Sequence, residues 1–132
     1  MIENQRYTPF ALTVTQSDGE VAVVLAGELD LESAHELNNR VAELQLRGIT
    51  EIVLDLHKVD FIDSSGLRTL LALRNDAKRN GHALTLIAPA PTVGRVFEVT
   101  GTRALFDWRD EPALSQRPSA PSPISPRATI TR

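Results

Sequence analysis

The run "VDFIDSSGL", residues 59 to 67, places two hydroxyls and a glycine behind an aspartate. Such residues serve three chemistries: a serine nucleophile, a helix cap, or an acceptor for phosphate. The nucleophile fails on its neighbours. A hydrolase elbow has the form G-x-S-x-G, whereas Ile62 and Asp63 precede Ser64 and supply no glycine on that side. The three histidines, His35, His57 and His82, fall on a predicted helix, a loop and a strand entry, with no triad spacing. Walker, G-x-G-x-x-G and H-E-x-x-H patterns are missing. Without cysteine there is no thiolate nucleophile, disulfide or thiolate zinc site. The sequence therefore predicts no enzyme and no metal. Capping and phosphate acceptance stay open, and either Ser64 or Ser65 satisfies both from spacing alone.

A phosphoaspartate receiver shares an acidic edge with this chain. It needs adjacent acids after its first strand, an acceptor Asp at a strand end and a Lys after its last strand. Only Lys58 and Lys78 are present, neither near "LFDW" (105 to 108), so that reading is weak. A phosphate on Ser64 would instead sit at a helix mouth, where unpaired N–H groups and the dipole favour negative charge. It would add about 1.5 to 2 negative charges at neutral pH. The fold tolerates that group, while a partner docking beside Asp63 meets a bulky dianion.

The elements that must position these residues follow from periodicity. "FALTVT" (10 to 15) alternates, with Phe10, Leu12 and Val14 on one face, which predicts a half-buried edge strand. "SDG" (17 to 19) is a turn signal, so "EVAVVLAGE" (20 to 28) returns as a hairpin arm. Asp30 caps a helix that buries Leu31, Ala34, Leu37, Val41 and Leu44 and stops at Gly48. "EIVLDL" (51 to 56) is a strand covered on both faces. "HKVDFIDSSG" (57 to 66) is a loop, and a second helix starts at Ser64 or Ser65. That helix buries Leu67, Leu70, Leu71 and Ala77 and ends at Lys78, Arg79 and Gly81. "ALTLI" (83 to 87) is a strand, "PTVGRVFEVTG" (91 to 101) a helix capped by Thr92, and "LFDW" a last short strand.

Strand and helix alternate from residue 20, which predicts an α/β domain with a mostly parallel sheet and right-handed crossovers. Ligands of such sheets gather beyond the carboxyl ends of the strands. Glu28 and Asp30 of "GELD" (27 to 30) and Asp60 and Asp63 of the next loop are thereby expected to cluster at the start of the second helix. The plainer reading is that Asp30 and Asp63 are only caps.

The 132 residues suit one domain, 42% hydrophobic and 23% charged. Three arginines, Arg117, Arg127 and Arg132, and no acids follow Ser115. Removing them from the 14 basic residues leaves 11 against 17 acids in residues 1 to 114, a net charge of -6. Such a domain repels phosphate backbones, so nucleic-acid binding is not expected. The N-terminus shows no signal peptide and no run is long enough to cross a bilayer, so a cytoplasmic protein is expected. "SQRPSAPSPISPRATITR" (115 to 132) holds four prolines and four serines, too little apolar surface to offset ordering entropy.

"GELD", "IVLDL", "VDFIDSSGLRTLLAL" and "PTVGRVFEVTG", in that order between Phe10 and Trp108, resemble the STAS domain of bacterial anti-sigma-factor antagonists. The resemblance implies a single STAS domain over residues 1–112, with a four- to five-stranded sheet, an N-terminal β-hairpin and helices packed against it. Residues 113–132 would be a disordered Pro/Ser-rich tail. Members usually end in a further helix, whereas "RDEPALSQRP" (109 to 118) leaves room for barely two turns between Pro112 and Pro118.

In that family the unphosphorylated antagonist binds an anti-sigma factor that is also a serine kinase, and so frees a sigma factor to activate transcription. The kinase phosphorylates the serine directly after the aspartate, which abolishes binding, and a phosphatase resets the cycle. The resemblance implies Ser64 as the acceptor. It implies a partner-binding surface of Glu28, Asp30, Asp63, Ser64, Ser65, Gly66, Leu67 and Arg68, with Gly66 letting the partner approach the backbone. ATP and Mg²⁺ would belong to the kinase, so no cofactor is implied for this chain. STAS domains also serve as structural clamps in membrane lipid-transport complexes, and a DSSG that only caps a helix is a third reading. Oligomeric state stays open, a homodimer included.

Overall fold

A computed structural model describes residues 9–17 and 20–110. The alternating N-terminal segment forms β1 (Ala11–Ser17), which pairs antiparallel with β2 (Glu20–Leu29) from Ala11↔Ala26 to Ser17↔Glu20. Asp18 and Gly19 of the expected turn lie outside the described residues. Then follow α1 (Leu31–Leu46), β3 (Glu51–Ile62), α2 (Ser64–Asn80), β4 (Ala83–Ile87), α3 (Pro91–Val99) and, after a 3₁₀ turn, β5 (Asp107–Arg109). The five strands lie in sequence order, and every pairing after the first is parallel. Strands added always in the same direction by right-handed crossovers put all three helices on one face of the sheet.

That face holds the main core. Leu37, Val41 and Leu44 of α1, Leu70 and Leu73 of α2, and Val93 and Phe97 of α3 cluster with Val23, Leu25, Leu54 and Leu86 of the sheet. Phe97 closes one end by edge-to-face contacts with Phe106 and Trp108, centroids 5.8 and 5.0 Å away. The opposite face carries a smaller cluster of Ala22, Val53 and Ile87. Here Arg109 reaches across β4 and β3 to grip Glu20 through two hydrogen bonds of 3.1 and 3.0 Å. The expected burial of "EIVLDL" on both faces holds, from Ile52 through Leu56.

Four details differ from the sequence reading. β3 does not stop at Leu56 but runs to Ile62, so most of the expected loop is strand. Two register shifts against β2 explain why periodicity missed it. Each inserts one extra residue into β3, so the inward positions Leu56, Val59 and Ile62 are spaced by three rather than two. Leu31 is not in the helical stripe but 61% exposed in the first turn of α1. Thr92 caps nothing: Ala90 precedes α3 and Pro91 opens it, its fixed φ suited to the first helical position and its missing N–H one that position leaves unpaired anyway. The last strand is Asp107–Arg109, after a 3₁₀ turn at Arg103–Leu105 that takes up the start of "LFDW".

The tail and the short helix considered after β5 lie outside the described residues. Among those described, no helix is long and apolar enough to cross a membrane.

Candidate functional site

The site is built where β2 and β3 end together. Leu29 pairs with Ile62, and Glu28 with Phe61, so the two chains leave the sheet side by side. Each then passes through a single aspartate into a helix. Asp30 caps α1: its Oδ1 accepts the Ser33 N–H at 3.1 Å. The Ser33 hydroxyl in return accepts the Asp30 N–H at 2.8 Å and donates to the Glu28 carbonyl at 2.7 Å. This reciprocal box fills helix-end donors that water would otherwise serve. The backbone N–H of Ser33, and then its hydroxyl, hold the Asp30 carboxyl below its ordinary value of 3.8.

Asp63 repeats the device for α2, accepting the Gly66 N–H at 2.9 Å. Its own N–H donates to the Leu29 carbonyl at 3.2 Å, which ties the second helix start to the end of β2. Neither serine is therefore the cap. Ser64 occupies the first helical position with its side chain exposed, and Ser65 the second, half-buried. An exposed hydroxyl at the positive end of a 17-residue helix is reachable by an enzyme and suited to carry a phosphate.

The expected cluster forms in part. Asp30 and Asp63 line one groove of about 450 Å³ together with Leu31, Glu32 and His35. Glu28 stays in β2 opposite Phe61, and Asp60 is exposed on β3. Arg68 is exposed at the start of the second turn of α2, while Leu67 is buried in the core. Gly66 is buried too, and its space requirement is internal. A Cβ there would stand 2.4 Å from the Leu29 carbonyl oxygen and 2.9 Å from Leu29 Cγ. Gly66 thus admits the end of the protein's own second strand.

Sequence reasoning placed Leu31 in the buried stripe and gave Glu32, His35 and Phe61 no role at this site. Leu31 was readable as exposed only from its position beside the cap, at the edge of the stripe. It also assigned nothing to Asp55, which is fully buried. Asp55 Oδ1 accepts the His57 N–H at 3.0 Å and lies 2.5 Å from His57 Nδ1. His57 sits in the first bulge of β3, so this carboxylate holds the backbone that carries the strand on toward Ser64.

A mixed sheet with three described helices on one face, and an exposed serine directly after the aspartate cap of the second, defines a small α/β module. Residues 11–114 match the STAS domain family model, and the chain belongs to that family. Over 95 residues it is 32% identical to BtrV of Bordetella bronchiseptica, a protein named as an anti-sigma factor antagonist; the match covers 72% of this chain and 82% of BtrV. The anti-sigma-B factor antagonist of Staphylococcus aureus is 28% identical over 95 residues, 72% of this chain and 88% of the relative. In fold the chain is similar to the unphosphorylated anti-sigma factor antagonist SpoIIAA, with a TM-score of 0.64 at 24% identity, over 76% of this chain and 90% of SpoIIAA.

Proposed function

We propose that this protein is an anti-sigma factor antagonist switched at Ser64. In this reading the unmodified chain binds an anti-sigma factor with serine kinase activity and so frees a sigma factor for transcription. Phosphorylation of Ser64 ends the complex, and a phosphatase restores it. The domain works in the cytoplasm as a binding protein, and ATP and Mg²⁺ belong to its partner. The observation that carries this is the exposed Ser64 hydroxyl at the first position of α2, directly after the Asp63 cap. Two relatives named as antagonists of anti-sigma factors support it.

The physical logic is a switch without unfolding. The free N–H groups of the first turn accommodate a phosphate on Ser64, so the domain stays intact. A kinase docked there faces Ser64 with the phosphates of its own nucleotide, and a second dianion at that point is repelled.

The test uses Ser64→Ala and Ser64→Glu proteins as paired baits in native cytosol, read by mass spectrometry. An ATP-binding anti-sigma factor should be held by the alanine form and lost from the glutamate form, with both baits folded. If both hold the same membrane transporter, or neither holds a kinase, the loop is structural here.

A further inference from the structure

We propose that the contact energy for the partner comes from Leu31 and Phe61, two exposed apolar side chains that flank Ser64, and that the partner meets them with an apolar centre rimmed by basic residues. This rests on the reading above and goes further by assigning the surface and its chemistry. Leu31 is 61% and Phe61 47% exposed, and both stand at the carboxyl edge of the sheet that carries Ser64. Leu31 follows the Asp30 cap on α1, and Phe61 precedes the Asp63 cap by two residues, so the phosphate acceptor lies between two elements that each offer an apolar group.

Exposed leucine or phenylalanine alone means little on a protein surface. Here two observations add to it. Leu31 forms a wall of the groove that Asp30 and Asp63 share, so it borders a concavity able to receive a partner side chain. The bulge before Phe61 shifts the pairing so that Phe61 sits opposite Glu28, while its neighbour Ile62 turns inward to the core. The charge around the pair is one-sided. Glu28, Asp30, Glu32, Asp60 and Asp63 outnumber the nearby cations Lys58 and Arg68. An acidic rim around an apolar centre is complementary to a basic rim around another, and it excludes acidic competitors.

The test measures affinity for the anti-sigma factor kinase encoded in the same genome, purified with bound ADP, by calorimetry. Leu31→Ser and Phe61→Ser should each weaken Kd by at least about tenfold, as truncated interface centres do. Leu46→Ser, exposed at the far end of α1, serves as control and should bind like the parent. Raising salt should weaken the parent complex as the charged rims are screened. In the kinase reaction the two site variants should show a raised KM with kcat retained, since Ser64 is untouched. Parental Kd for both site variants, while Ser64→Glu still fails to bind, overturns this inference and leaves the switch standing. A parent protein that binds no such kinase brings down the switch itself, and this inference with it.

Discussion

Gly66 in the first turn of α2 stands so close to the carbonyl oxygen of Leu29 that any Cβ would lie 2.4 Å from it. The opposing atom is backbone, held in the β2–β3 pairing, and cannot swing aside as a flexible side chain could. Gly66→Ala should therefore destabilise the domain by about 1–3 kcal/mol, the usual cost of overpacking. For a domain of this size each kcal/mol lowers Tm by roughly 4–8 °C. Thermal unfolding checks it, and an unchanged Tm would mean the helix start can slide outward freely.

Asp30 predicts an acid limb in stability. Hydrogen bonds from Ser33 hold the folded-state carboxyl below its ordinary 3.8. Its contribution is thus fully present above the unfolded-state value and is lost as pH falls through the lower folded value. Urea unfolding followed from neutral pH down through that range should show this loss in the parent. Asp30→Asn should lack that part of the pH dependence while retaining a capping oxygen. Identical acid limbs in the two proteins would sink the argument.

The Glu20–Arg109 pair makes a third prediction. It joins the first residue of β2 to the last of β5 across two intervening strands, with both side chains largely covered. Arg109→Leu should cost about 2 kcal/mol, from the loss of two charge-assisted hydrogen bonds discounted for partial exposure. Moderate salt should not reproduce the effect in the parent, because a bidentate, half-buried pair is poorly screened. Denaturant titration at two ionic strengths tests both halves.

Most of the fold was readable because the elements carry their own punctuation. Asp30 and Gly48 bracket α1, and Asp63 and Gly81 bracket α2, where Gly81 adopts φ 70°. What escaped was the far half of β3. Its bulges replace the strand period of two by steps of three, and no local signal in "HKVDFI" distinguishes that from a loop. The site suffered for the same reason. Reading residues 57 to 62 as loop hid Phe61 as a strand residue placed opposite Glu28. The close approach of Gly66 to Leu29 was not legible, since Leu29 is 37 positions away in the chain and only the paired strand ends bring it there.

Because β3 stays paired to Ile62, a single residue separates the sheet from the helix that carries Ser64. Ser64 is mounted on a stiff bracket of paired strand and capped helix. This surface then gives up little conformational freedom when a partner docks on it. If Ser64 is the switch proposed above, the tempo of its signal is then set by how quickly phosphate is added and removed.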